Sequence, residues 1–337
     1  MLSFFRWVLF FIALLLTVIG GALFFGHTLL VAQGPLDATK RIVIPRGAGP
    51  STMAKVLHDE GVISYPLLFR VALMVDPDPK PIKAGEYEIP AHMSMQGLVE
   101  LLQSGKLVQR RLTVPEGMTT AEVLDLVRKA DALKGDITID VKEGDLLPET
   151  YFYSRDDTRD GLLLRMKEGM EKTLDEAWRK RMAGLPLANR REALILASMV
   201  EKETSIPAER NRIAAVFLNR LRLKMKLESD PTTIYGLTKG TGSFNRELTR
   251  ADLNSNSPYN TYMVAGLPPG PICNPGRASI LAVTNPAHDR SLYFVADGQG
   301  GHVFSRTMLE HNRNVERWKE IQRERQGQPS APAAPKP

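Results

Sequence analysis

The chain has 337 residues, 43% of them hydrophobic and 24% charged, an average globular composition with enough length for about two domains and a proper buried core. Its formal net charge of +6 arises from basic and acidic residues interleaved almost throughout, without an arginine-rich or aromatic-interleaved stripe, which excludes nucleic acid as the natural partner. A single cysteine, Cys273, excludes both an internal disulfide and a thiolate metal cluster.

The apolar residues are unevenly spread. Residues 7–32 form a run of 26 without a charge, broken only by Thr, Gly and His27. About 20 residues cross a bilayer core and a secretory h-region is only about 7–15 long, so the run is expected to be a retained single transmembrane helix behind a cytoplasmic tail, residues 1–6. Arg6 on one side and Lys40, Arg41 and Arg46 on the other leave the charge rule undecided. A short tail before the span and a large domain after it favour an exported domain, placing it on the periplasmic side of a cytoplasmic (inner) membrane. The mild positive charge suits anionic lipid headgroups or an acidic polymer.

After a polar linker, residues 33–39, the chain reads strand (41–45), turn (47–50) and a helix capped by Ser51 that stops at Gly61. A helix over 65–74, three prolines (Pro77, Pro79, Pro81), a strand over 85–89 and a helix over 95–104 closed by Gly105 complete a small αβ module, residues 36–108, with no clustered catalytic types. A strand over 110–116 opens a larger α+β domain, residues 110–325. Helices are expected at 120–129, 159–181, 189–203 and 208–224. Beyond Asp230 the texture turns to Gly, Pro, Asn and Tyr and reads as long structured loops. A hairpin (291–296 and 302–305) and a helix over 307–324 follow. Residues 326–337, rich in Pro and Ala, are expected to be disordered. The fold class is α+β with an N-terminal transmembrane helix.

The two central helices form a hairpin broken at Ile206-Pro207, and two carboxylates, Glu201 and Glu203, close the first of them. Residues two apart on a helix point about 200° away from each other, so only one can enter any single cleft. Ala197, Ser198 and Thr204 flank Glu201, whereas Leu196, Met199 and Val200 flank Glu203. Small neighbours leave room for a ligand, so the Glu201 side reads as cleft and the Glu203 side as packing. A solvated Glu-Lys-Glu run is the competing reading of the motif taken alone. Asn219 and Arg220 on the second helix are placed to hold a carboxylate partly out of water.

Five blocks, ASMVEKET, ERNRIAAVFLNRL, LESDPTTIYG, SPYNTYMVAGLPPGPICNPG and LYFVADGQGGHVFSRTMLEHN, stand in this order behind the apolar run. Together they resemble the MltG (YceG-like) family of membrane-anchored endolytic murein transglycosylases, from the anchor to about Arg317. The resemblance implies a LysM-like module ahead of the catalytic domain. It implies cleavage of the MurNAc–GlcNAc β-1,4 bond of nascent peptidoglycan glycan strands to leave 1,6-anhydroMurNAc ends, terminating strand elongation. It also implies that the catalytic acid of the EKE block falls on Glu201, with peptidoglycan synthases as candidate partners. Met199, Glu228-Ser229 and Cys273 depart from residues common in the family and bear on subsite contacts near Asp230.

Such chemistry needs one carboxylate, because the substrate's own C6 hydroxyl is the nucleophile and an oriented intramolecular group reaches an effective molarity on the order of 10⁵ M or more. Asp230, Tyr259, Asn260 and Tyr262 are the candidate substrate-binding residues, offering hydrogen bonds and ring faces to sugars, although Asp230 before Pro231 is also a natural turn or cap residue. No cofactor is implied. The six histidines are scattered with no HExxH, His302 reads as a turn-end group, and no Gly-x-Ser-x-Gly elbow is present. The alternative of a different class is a non-catalytic peptidoglycan-binding scaffold for wall-synthesis enzymes.

Overall fold

The computed structural model describes residues 2–325 and Gly327. The expected disordered tail, apart from Gly327, lies outside the described residues. The chain divides into two units, one made of Met1–Arg110, Ala132–Lys134 and Phe152–Asp157, the other of the remaining segments.

The smaller unit begins with α1 (Leu2–Val31), whose apolar stretch Phe4–Val31 has no buried residue in its most apolar 18-residue part. Strand β1 (Lys40–Ile44) pairs antiparallel with β2 (Gly85–Ile89), Ile42 opposite Tyr87. Helices α2 (Pro50–Asp59), α3 (Pro66–Val75) and α4 (Met95–Ser104) complete the unit. Its core gathers Ile42, Leu57, Phe69, Tyr87, Leu98 and Leu102. Tyr87 is fully buried and its hydroxyl donates to the Lys83 carbonyl at 2.8 Å, so its one polar atom carries no desolvation penalty. Helix α2 starts at Pro50 with Gly49 as N-cap and no side-chain cap, one residue before the cap expected at Ser51: proline's fixed φ suits the first helical turn.

Strands β3 (Gln109–Thr113) and β4 (Thr150–Ser154) pair, and each runs through the division between the units; the hydroxyls of Thr113 and Thr150, both in the larger unit, lie 3.0 Å apart. Helices α5 (Thr120–Lys129), α6 (Arg159–Arg179), α7 (Arg190–Glu203), α8 (Arg210–Arg222), α9 (Asp230–Thr238), α10 (Arg250–Leu253) and α11 (Arg277–Thr284) follow. Strands β5 (Tyr293–Ala296) and β6 (His302–Ser305) form a hairpin, and α12 (Met308–Arg325) ends the described chain. The region beyond Asp230 is therefore not all loop, and β4 also lies where no strand is expected. In α9, Pro231 occupies the first turn and Lys239 closes the helix at φ 52, so a Thr- and Gly-rich segment becomes helical between two stops.

Helix α7 is the centre of this unit. Asn189 caps it, its side chain accepting the Glu192 amide at 3.0 Å, and every residue from Ala193 to Val200 is buried. It packs against α6, α8, α9 and α11 at once. A helix apolar on all sides belongs inside a core, so Ala and Ser on it mark close approach of neighbours rather than an opening.

Candidate active site

The two glutamates at the end of α7 leave it into different surroundings. Glu201 Oε2 accepts the Gly276 amide at 2.8 Å, Oε1 stands 3.5 Å from the Arg210 guanidinium, and only 5% of the side chain is exposed. Arg210 also reaches Glu116 at 3.3 Å. Burial, and then the nearby charge of Glu201, push the Glu116 carboxyl above its ordinary range, while Arg210 draws it back.

The neighbouring small residues do not floor a cleft. Ser198 Oγ accepts the Ile272 amide at 3.0 Å, and Cys273 Sγ contacts the Ser198 carbonyl at 3.3 Å. The segment 270–276 thus covers this side. Asn274, fully buried, fastens it: its side chain accepts the Leu146 amide at 2.9 Å and donates to the Met118 carbonyl and Thr120 hydroxyl, each at 3.1 Å. Small residues suit close packing as well as an opening, and here Ala197 and Ser198 serve packing, as Leu196, Met199 and Val200 do beside Glu203.

Glu203 is partly buried, and its Oε1 accepts the Ser229 hydroxyl at 2.5 Å. Burial pushes its carboxyl up to about 7; the Ser229 hydrogen bond opposes this, the Asp230 charge adds to it, and His302 and Arg220 oppose it. Asp230, exposed at the start of α9, accepts the Tyr262 hydroxyl at 2.7 Å. Burial first, and then that hydrogen bond, raise the Tyr262 phenol, which stays protonated and donating.

Local bonding explains this meeting. Arg220, on α8 and 8% exposed, donates through Nε to the Leu292 carbonyl at 2.7 Å and through Nη1 to the Leu227 carbonyl at 3.0 Å and Glu228 at 3.1 Å. Asn219 holds the Asp289 and Ser291 carbonyls at 2.8 and 3.0 Å. The Glu228 amide donates to the Thr261 carbonyl at 3.2 Å and the Ser229 amide to the Thr261 hydroxyl at 3.0 Å, which laces residues 228–232 to 260–262. Thus Asn219 and Arg220 position loops instead of gripping a carboxylate of α7. On the far side, Glu209 accepts the His302 amide at 2.8 Å and meets His302 Nδ1 at 2.7 Å, so His302 is held by a carboxylate as well as by its hairpin.

Of the expected binding residues, Asp230 and Tyr262 come together near Glu203, Asn260 holds the Tyr262 backbone from inside the protein, and Tyr259 packs on Tyr235 instead. Asn260 has no exposed surface; its amide donates to the Leu253 and Ser255 carbonyls at 2.9 Å each, and its oxygen accepts the Thr233 hydroxyl and the Tyr262 amide at 3.1 Å each. Its polar atoms are thus taken up within the protein, and it offers no surface to a substrate. Tyr259 packs against Tyr235 with ring centroids 4.8 Å apart and the planes tilted by 49°, and Tyr235 in turn donates to Glu143 at 3.1 Å. Ser229 and the Glu209–His302 pair have no sequence signal linking them to Glu203, since only folding brings residues 203, 209, 229 and 302 together. Among the described residues no group of three or more His, Cys, Asp or Glu is placed to hold a metal ion.

Comparisons with known proteins identify the family. The model of the YceG-like family matches residues 42–317. The chain is 30% identical over 333 residues to the endolytic murein transglycosylase of Bacillus subtilis (strain 168), covering 89% of this chain and 91% of that one. It is 28% identical over 359 residues to the endolytic murein transglycosylase of Streptococcus pneumoniae serotype 2 (strain D39 / NCTC 7466), covering 91% of this chain and 64% of that longer protein. A solved YceG-like protein from Listeria monocytogenes, 29% identical, covers 82% of this chain and 98% of its own, with a TM-score of 0.49. By the extent of the family match, the chain belongs to the YceG-like family.

Proposed function

We propose that this chain is an endolytic murein transglycosylase in which Glu203, not Glu201, transfers the proton. The observation that carries the assignment is the carboxyl raised to about 7 beside an exposed aspartate, against a second carboxylate closed by a peptide amide and a guanidinium. A general acid works best with a pKa near the working pH, and it must be reachable by substrate.

In this reading Glu203 protonates the glycosidic oxygen between MurNAc and GlcNAc as the C1–O bond breaks. The MurNAc C6 oxygen bonds to C1, and its proton passes to the Glu203 carboxylate. No water is consumed, the acid returns to its starting form, and one product end is 1,6-anhydroMurNAc. Ser229 holds the Glu203 carboxyl in place, and Asp230, oriented by Tyr262, contacts substrate and favours the protonated acid. Helix α1 serves as a single-span anchor that keeps the larger unit outside the cytoplasm, where strands are growing and synthases work. The small unit, LysM-like by resemblance, guides glycan.

The test is to incubate the full-length protein in detergent with uncrosslinked glycan and weigh the product ends. Anhydro ends are lighter by one water than reducing ends. Reducing ends would replace the proposed lytic reaction with hydrolysis, using Asp230 as the second carboxylate, and the absence of new ends would favour a binding scaffold.

A further inference from the structure

Helix α3 is apolar on both of its faces. Phe69 and Ala72 enter the core of the small unit, while Leu67, Val71, Met74 and Val75 stand 68%, 41%, 75% and 66% exposed on the other side. The spacing i, i+4, i+7, i+8 makes these four one continuous stripe. Tyr65, the N-cap residue, is also exposed, at 56%, and Arg70 flanks the stripe. A surface helix normally turns charge outward, so an uncovered stripe of this length marks a contact with something apolar.

What covers it is indicated by α1. The last turns of α1 pack on α3 and α4: Leu30 joins the core of the small unit, Leu29 and Ala32 share one crevice with Tyr65 and Leu68, and Leu30 shares another with Ala72 and Val75. The apolar stretch of α1, 28 residues, exceeds the about 20 needed to cross a bilayer core. Its final turns therefore sit at headgroup depth, and they carry α3 there with them. A stripe of Leu, Val and Met flanked by an arginine, on a helix that begins at an exposed tyrosine beside an emerging span, has the composition of a helix lying in a membrane interface.

We propose that the exposed face of α3 docks on the lipid bilayer itself, so that the small unit is seated in the membrane surface at two points, α1 and α3. This rests on reading α1 as a membrane anchor. The docking fixes the small unit's orientation to the membrane plane, which a lone span joined by a flexible tether would not.

The test uses the full-length chain, one copy per lipid nanodisc, carrying an environment-sensitive maleimide at Met74→Cys, Leu15→Cys or Gln322→Cys in separate samples; Cys273 is fully buried and the unsubstituted chain controls for its labelling. The label at 74 should be quenched by lipid spin-labelled near the headgroup and several-fold less by aqueous iodide than the label at 322. Iodide access at 74 equal to that at 322, with the label at 15 buried in lipid, overturns the docking and leaves the anchor standing. Iodide access at 15 overturns the anchor and the docking with it. Protection at 74 without quenching by lipid also overturns the proposal, since protein rather than bilayer then covers the stripe.

Discussion

Glu201 and Glu203 sit two residues apart at the end of α7 and face opposite ways: the first meets the Gly276 amide, the second the Ser229 hydroxyl. That divergence makes their substitutions separable. Glu203→Gln keeps shape and can still accept a hydrogen bond but cannot carry a proton, so release of anhydro ends should fall by at least about 10²-fold with folding intact. Glu201→Gln should keep activity within a few-fold and lower stability by about 1–3 kcal/mol, because Arg210 loses part of its charge compensation. Rates of end release and thermal melts of both variants check the pair; the reverse ranking would return the acid to Glu201.

The sequence carries the α7–α8 hairpin clearly, since apolar recurrence and the Ile206-Pro207 break mark both helices to within a few residues. It does not carry which glutamate is covered. That depends on residues 270–276 lying over Ser198, a contact between segments more than 70 residues apart that leaves no local pattern. Likewise α9 and α11 are short, rich in Thr or Gly or preceded by Asn-Pro-Gly, and are helical because the core accepts them.

Activity should fall as pH rises through about 7, because the acid form of Glu203 is the competent one. Stability should change in the same window. The folded-state pKa lies above the ordinary 4.5, so the native protein holds a proton that the unfolded chain has released between 4.5 and about 7. The stabilisation is complete below about 4.5 and disappears as pH passes 7, a loss on the order of 3 kcal/mol for a shift of this size. Glu203→Gln removes it, so chemical denaturation from pH 4.5 to 8 should show a smaller decline in the variant than in the unaltered chain.

Tyr262→Phe removes the hydrogen bond to Asp230 and little else. The melt should be nearly unchanged while end release drops about tenfold, in line with about 1.5 kcal/mol for a bond to a charged acceptor. Asn260→Ala should do the opposite, costing about 3 kcal/mol by stranding the Leu253 and Ser255 carbonyls, whatever its effect on activity. Equal melts for the two variants would contradict these assignments.

A Cβ at Gly276 would overlap the Glu116 carboxylate. Gly276→Ala should therefore destabilise by about 1–2 kcal/mol as Glu116 is driven from its place beside Arg210. In a double-mutant cycle, Glu116→Ala should recover most of that loss; additive losses would mean that the strain falls on the backbone.

The bonds from Asn274 to Met118 and Thr120 bridge 156 and 154 residues of chain. Closing so long a loop costs entropy before any bond offsets it, whereas α7 and α8 are neighbours in sequence and can associate at once. A refolding chain is thus expected to assemble the helical hairpin first, to receive residues 270–276 late, and to bury Glu201 only when they arrive.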